Sequence, residues 1–534
     1  MPPFRRPRDL TFAIKASAAA ALVVVADLLF YGHPFGATVG VFALLLTLAA
    51  TLLHPAARRD PKALFALAAA AVLALIQVET PSLLASLLFW ALLSLAALAP
   101  RALGFDDAWR WSQRLLAQAA VGLAGPWLDL RRARRAGRTG PRGRWNQVVP
   151  LLALPVLGGA VFLALFAMAN PVISNALAAL RLPTLGSDFG WRVMFWLTVL
   201  VLTWGVLRPR RRRVLPVGKA RRGVVLAGVP VASVVLSLIV FNALFALQNG
   251  LDAVILWGGA GPPAGLTLAE YAHRGAYPLI ATALLAGLFV LVFLAPSSPT
   301  AKVPSVRVLV VAWVAQNLFL VASSILRTLD YVQAYSLTRL RIAALVWMGL
   351  VALGLVLVCW RMLRGKSGAW LINTNAAAAL IVLAASCVVD LGAVAAAWNV
   401  RHAREVGGRG PRLDVCYLNQ LGASAAVSLV ELERGPLPEG LDDRVAAVRE
   451  EAVQALRDRQ AAWRGWSWRG ARRLARIDAL QTGRPAAVSA WAPDGRDCDG
   501  APMHVSEGAA MPEPPAPEPV GLATSPPLTE SPEH

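Results

Sequence analysis

The sequence predicts an all-α protein: a polytopic transmembrane helix bundle of about eleven spans over residues 1–398, a small C-terminal helical, interface-associated region over 399–481, and a disordered tail over 482–534. Three observations predict it. Apolar runs of about the ~20 residues that cross hydrocarbon recur through the first four hundred positions. Charge is scarce, 16% of residues against about a quarter in a soluble protein, and it is confined to short connectors between the runs. The basic residues then fall on alternate connectors, as the positive-inside rule requires.

The runs lie near 16–32, 35–53, 63–79, 81–99, 148–169, 191–207, 224–247, 277–295, 308–326, 342–360 and 370–397. The stretch 224–258 reads either as one long helix or as a span plus a shallow segment. Arg5, Arg6 and Arg8 ahead of the first run imitate a signal peptide, but no clean small-residue cleavage site follows, so the run is expected to stay as the first span. With the N-terminus in the cytoplasm, the inward segments hold thirty Lys and Arg, including all five lysines, and the outward connectors hold six: Arg181, Arg192, Arg274, Arg327, Arg339 and Arg341. A wrong span count would scramble that asymmetry. An odd count places the C-terminus outside.

The net charge of +21 follows from retention of Lys and Arg on cytoplasmic loops, so no nucleic-acid partner is expected. Residues 101–130, with Trp109, Trp111 and Trp127, read as a helix lying in the membrane interface. Seven arginines from Arg131 to Arg144 and the run Arg210 to Arg213 read either as topology determinants touching acidic lipid without specificity or as a site for an anionic lipid headgroup. The lipid bilayer is the expected partner, with anionic lipid at these loops. Near the C-terminus, 440–460 is helix-favouring, and Trp463, Trp466 and Trp468 interleave with Arg464, Arg469, Arg472 and Arg473. That stripe suits a membrane surface or an ordinary surface helix.

Motifs for soluble chemistry are absent: no GxxxxGK[ST], no HExxH, no GxSxG, and no histidine pair at metal-ligand spacing. No metal and no cofactor is expected. Cys359 and Cys387 sit inside apolar runs. Cys416 and Cys498 lie in the C-terminal region, where a disulfide between them is possible only outside the cytoplasm. Polar residues inside the runs are Asp27, Asn242, Gln316, Asn317, Asn373, Asn375 and Asp390. Each is either glue between helices or part of a functional site, and neither aspartate has a cationic partner identifiable from sequence.

Three external connectors are unlike solvated loops. They are Leu256–Gly259 with Leu266–Gly275, then Arg327–Tyr331 with Tyr335–Arg341, then Trp398–Arg401 with Leu413–Leu418. Their order and spacing resemble an uncharacterised bacterial membrane family designated only as a domain of unknown function, the forty-one fifty-three and forty-one seventy-three group. The resemblance covers roughly 10–475 and rests on Glu270-Tyr271-Ala272 with Arg274-Gly275, Leu337-Thr338 with Arg341, and Asp414 with Tyr417-Leu418. Ser336, where the family often has Gly, and Ala276-Tyr277, where an aromatic commonly follows Gly275 directly, depart from it. The resemblance implies an integral protein of a bacterial cytoplasmic (inner) membrane and no established activity.

The connectors follow the seventh, ninth and eleventh spans, which puts Glu270, Tyr271, Arg274, Arg327, Asp330, Tyr331, Tyr335, Thr338, Arg341, Asn399, Asp414 and Tyr417 at one outer face. Two carboxylate–arginine pairs, Glu270/Arg274 and Asp330/Arg327, fit helical i,i+4 and i,i+3 spacing. The cluster either holds a polar headgroup or peptide, or locks the connectors together. Functionally the sequence leaves open a transporter or lipid-handling enzyme, which needs a polar cavity, and a non-catalytic sensor or assembly module, which needs an exposed surface. The topology itself is testable: reporter fusions after Arg59, Arg138 and Arg211 should report the cytoplasm and a fusion after Arg412 the outside, whereas a cytoplasmic signal at Arg412 would require an even number of spans.

Overall fold

The computed structural model of the chain describes residues 7–101, 106–136, 188–209, 230–258, 303–482 and Cys498. Among these residues every regular element is helical. The membrane part is built from α1 (Pro7–Phe30), α2 (Thr38–Leu53), α3 (Pro61–Glu79), α4 (Leu83–Leu98), α7 (Asp188–Leu207), α8 (Val231–Asp252), α9 (Pro304–Tyr335), α10 (Arg339–Arg364) and α11 (Gly368–Val388). Between α4 and α7 lie α5 (Ala108–Leu123) and α6 (Gly125–Ala136), and after α11 come α12 (Leu391–His402), α13 (Val415–Leu421), α14 (Ala426–Leu432), α15 (Leu441–Ala461) and α16 (Trp468–Gln481). Eight described helices are long and apolar enough to cross a bilayer, and Thr38–Leu53 is a shorter apolar one. The predicted spans at 148–169 and 277–295, most of the Arg131–Arg144 loop, the Arg210–Arg213 run and the tail expected to be disordered lie outside the described residues.

Local chemistry sets the helix ends. Asp60 accepts from the Lys62 N–H at 2.9 Å ahead of Pro61 at the first helical position, and Ser82, Thr338 and Ser367 cap α4, α10 and α11 in the same way. The stretch after 224 resolves into a span, α8, closed by one π-turn at Ala253–Trp257. The expected last run, 370–397, is corrected. The helix stops at Val388, the chain extends through Val389, and Asp390 caps α12 by accepting from the Ala393 N–H at 3.0 Å. Asp390 is therefore a cap at the end of a span, not a carboxylate in its middle. The predicted interface helix is likewise two helices, broken at Ala124–Gly125.

The first spans pack through small residues. Ala63, Ala66, Ala70 and Ala74 of α3 bury against Ala43, Leu46 and Ala50 of α2, and a Cβ on Gly40 would collide with the Ala74 and Val78 backbone. Without a hydrophobic driving force between helices, close backbone approach is what holds spans together. A second apolar cluster joins α8 and α9 through Val234, Leu238, Val306, Val310 and Trp313. Across the bundle, Asp27 of α1 accepts bidentately from Arg192 of α7 at 2.9 and 2.6 Å and from Trp196 Nε1 at 2.8 Å. This is the cationic partner that the sequence did not disclose.

The two ends of the bundle differ. One, the basic end, gathers Lys15, His54, Arg101 and Arg208 with α5 and α6. Helix α5 is tied there by Gln118 Nε2 to the Gly205 carbonyl at 2.8 Å and by the Ala108 N–H to Asn373 Oδ1 at 2.8 Å. The opposite end is covered by α12–α16, whose own core holds Leu418, Leu421, Leu429, Val445 and Ile477. This cap is held on the spans by one face of α16. Arg469, Arg472, Arg473 and Arg476 recur at helical spacing. Arg469 and Arg472 reach Glu79 at the end of α3 and Arg473 reaches Asp390 after the end of α11, while Arg476 reaches Glu431 of α14 within the cap. The Trp466 carbonyl accepts from the Ala37 N–H at 2.6 Å, and Gly36 leaves no room for a side chain against the 464–466 backbone. Within the cap Cys416 is bonded to Cys498, and both Arg444 Nε and Nη2 donate to the Cys498 carbonyl.

Burial pushes the Asp390 carboxyl up, but the Ala393 N–H, the Arg473 guanidinium and the Ser424 hydroxyl outweigh it and hold the group below its ordinary value. A carboxyl lowered on folding adds stability that is complete above its unfolded value, about 3.9 for Asp, and that is lost as pH falls through the lower folded value. Melting temperature followed into the acid range should therefore drop as that window is crossed, and Asp390→Asn should flatten the drop. An unaltered acid limb in the variant would show that the cap is not held through Asp390.

Candidate functional site

Of the twelve predicted outer-face residues, Glu270, Tyr271 and Arg274 lie outside the described residues. The rest divide into two groups. Tyr331, Tyr335, Thr338, Arg341, Asn399, Asp414 and Tyr417 converge on the connector between α9 and α10. The Asn399 side chain accepts from the Leu337 N–H at 2.7 Å and donates to the Leu337 carbonyl at 3.0 Å. Tyr417 Oη accepts from the Arg339 N–H at 2.8 Å. Asp414 caps α13 by accepting from the Tyr417 N–H at 2.8 Å. Arg341 donates to the Tyr335 and Ser336 carbonyls and lies 4.2 Å from the centre of the Tyr331 ring, which packs on Tyr335. Ser336 there takes φ +71°, a left-handed conformation that Gly adopts at no steric cost. Asn399, Tyr417 and Arg341 are thus spent on backbone atoms of the connector, and Asp414 on the first turn of α13.

Arg327 behaves differently, and its predicted pairing with Asp330 is corrected. Asp330 is exposed, while Arg327, 8% exposed, pairs with Asp252 of α8, 1% exposed. The long arginine instead leans back along α9 toward its N-terminus, the direction side chains take on a helix, and meets a carboxylate on the neighbouring span.

That pair ends a polar seam between α8 and α9. Asn242 Nδ2 donates to the Leu238 and Leu309 carbonyls at 2.8 and 3.1 Å, and Asn242 Oδ1 accepts from Gln316 Nε2 at 3.0 Å. One level on, Asn249 Nδ2 donates to the Gln316 carbonyl at 3.0 Å, and Gln248 Nε2 donates to Asp252 Oδ1 at 3.1 Å. The constant offset between Asn242 and Leu309 and between Asn249 and Gln316, 67 residues in each case, shows that the two helices run parallel. At 1.5 Å per residue, Gln316 lies roughly 18 Å and Arg327 roughly 35 Å along α9 from Pro304, so the seam runs from mid-bilayer to the capped end.

Four buried oxygens in this seam have no hydrogen-bond partner: Asn249 Oδ1, Asp252 Oδ2, Gln316 Oε1 and Asn317 Oδ1. Their identity as acceptors is fixed by their surroundings. Asn249 and Asn317 each give their amide nitrogen to a backbone carbonyl, the latter to Trp313 at 2.8 Å. Gln316 gives its nitrogen to Asn242, which is itself oriented by two carbonyls. Four acceptors without protein donors at hydrocarbon depth distinguish this seam from an interface that satisfies its own polar groups. Among the described residues no group of three or more His, Cys, Asp or Glu side chains is placed to hold a metal ion. Asn242, Gln316, Asn317 and Arg327 stood out in the sequence, but Asn249 and Asp252 did not. The signal was Asn242, Asn249 and Asp252 at spacings of seven and three, which share one helical face.

Apolar helices of spanning length, joined across their interior by amide and ion-pair contacts, define an integral polytopic α-helical membrane protein. The family described as "Domain of unknown function (DUF4153)" matches residues 63–432, and the chain belongs to that family. No curated protein and no solved structure gives a match. The matched region takes in the seam and the clamped connector but ends before α15 and α16, so the arginine face that fastens the cap lies beyond it.

Leaving one member of a buried ion pair alone costs about 3–5 kcal/mol, whereas replacing both with apolar residues is often neutral. Asp252→Leu and Arg327→Leu should each destabilise the protein by about that amount, and the double variant should recover most of it, measured by unfolding of the purified protein in detergent. Additive losses would show that the two side chains do not act as a pair.

Proposed function

We propose that the protein is of the transporter type and admits a small polar or cationic solute from its capped, outward-facing end into the seam between α8 and α9. The observation that carries this reading is the set of four unpartnered acceptor oxygens, two of them on asparagines whose amide nitrogens are held by backbone carbonyls. A merely structural interface would satisfy its own polar groups. The Asp252–Arg327 pair sits at the outer limit of the seam and gives it a charged mouth. The connector residues around Asn399, Arg341 and Tyr417 then frame the mouth and hold its shape, since their polar atoms are committed to the backbone.

The orientation belongs to the same reading: a bacterial cytoplasmic membrane, with the N-terminus inside and the C-terminal cap outside. The charge asymmetry supports it, and so does the Cys416–Cys498 bond in the cap, because disulfides persist in oxidising compartments. One observation favours a second reading, an assembly module. The cap leaves Trp463 and Trp468 exposed beside the spans, a surface that suits a partner or the interface.

Access decides between them. In a background with Cys359→Ser and Cys387→Ala, Asn249→Cys and Gln316→Cys should react with a small membrane-impermeant thiol reagent added from the outside, since a thiolate forms only where water reaches. Absence of reaction at both positions would close the seam to solutes and leave the assembly reading.

A further inference from the structure

The turn between α10 and α11 brings a buried arginine to the start of a helix. Gly365 takes φ +61° at the end of α10, and the Gly365 and Lys366 N–H groups both return to the Arg361 carbonyl. Glycine at that left-handed position lets the chain reverse at once. Ser367 then caps α11 by accepting from the Trp370 N–H at 3.1 Å. The N–H groups of Gly368 and Ala369, the first two residues of α11, have no acceptor within the helix. The reversal sets the guanidinium of Arg361 beside them: a Cβ added to Gly368 would lie 3.9 Å from Arg361 Nη2.

Arg361 is 8% exposed, and its Nε is buried without a hydrogen-bond partner. Among the described residues its guanidinium makes no hydrogen bond and no ion pair. Arg327, equally buried near the capped end, has Asp252 to meet it. Arg361 has instead the positive end of the α11 dipole, with Arg364 and Lys366 on the same turn. Charges of one sign so arranged repel unless an anion lies between them. The carboxylates nearby are engaged elsewhere. Helix α5 meets α11 where the Ala108 N–H donates to Asn373 Oδ1, and at that end of α5 Asp106 is held by Arg114 at 2.7 and 2.6 Å and Asp107 accepts from the Arg110 N–H at 2.8 Å.

The surroundings belong to the edge of a bilayer. Trp360 and Leu363, in the last turn of α10, are exposed, and Arg364 lies over the Trp360 ring at 4.8 Å. Tryptophan and arginine at a span's end occupy the headgroup layer. We infer that Arg361 and the Gly368 and Ala369 N–H groups form a site for a phosphate group at the N-terminus of α11, supplied by an anionic phospholipid. The oxyanion accepts from the two orphan N–H groups, as phosphates do at helix N-termini, and takes a charge-assisted bond from the guanidinium. Arg364 and Lys366 add positive charge at the rim. The site is independent of the seam and of the Arg210–Arg213 run.

The experiment uses the full chain in detergent, washed free of lipid and titrated separately with phosphatidylglycerol, phosphatidylcholine and inorganic phosphate. Melting temperature reports ligand bound to the folded state. Phosphatidylglycerol should raise it in a saturable way and phosphatidylcholine should not. Arg361→Gln should weaken the apparent affinity at least about tenfold, the scale of one lost charge-assisted bond. Gly368→Pro should weaken it as well, and serves if Arg361→Gln fails to fold. Proline suits the first helical position, and Ser367 at φ −68° and ψ 162° already has the backbone that precedes proline, so this change removes a donor without breaking the helix. An unchanged response in either variant, an equal rise with phosphatidylcholine, or no rise with any of the three probes would overturn the site. A rise with inorganic phosphate and none with phosphatidylglycerol, lost in both variants, would keep the site and make free phosphate its occupant.

Discussion

Hydrocarbon offers no hydrogen bonds, and most of this structure follows from that deficit. Every backbone group at bilayer depth must be satisfied within its own segment, which leaves helices as the described elements. Every polar side chain at that depth must find a partner on another span. Asp27 meets Arg192 and Trp196, Asn242 meets Gln316, and Asp252 meets Arg327. These pairs fix the register of neighbouring spans more sharply than the small-residue packing of α2 on α3 can, because a shift of one turn would strand a charge.

Against that background the exceptions are informative. Four of the unmatched atoms are amide and carboxylate oxygens of the seam.

The fold was legible in the sequence because the membrane constraint is local: about twenty apolar residues announce a span wherever they occur, and basic clusters mark the connectors. The break at Val389 was not legible, because an aspartate between Val389 and Leu391 reads equally as a buried carboxylate or as a helix cap, and only the Ala393 N–H decides between them. The connector residues were picked out by their unusual mixture of charge and tyrosine, and seven of them do converge. Asp252 passed unnoticed because its partner lies 75 residues away, as Arg192 lies 165 residues from Asp27 and Arg473 83 from Asp390. Such pairings exist only after helices have been placed side by side. The arginines of α16 were open to a lipid-facing reading for the same reason, since Glu79 is 393 residues from Arg472.

The contact between Ala37 and Trp466 has a bearing on biogenesis. The loop between the first two spans is among the earliest parts of the chain to leave the ribosome, yet the backbone carbonyl that receives its Ala37 N–H is supplied more than four hundred residues later. Synthesis at roughly 5–20 residues per second separates the two by some tens of seconds. Throughout that interval the first hairpin has to persist on its packing against α3, α4 and α7, and the seal arrives only after the last described span has been inserted. The order of synthesis therefore makes the cap a final latch, closed over spans that are already in place.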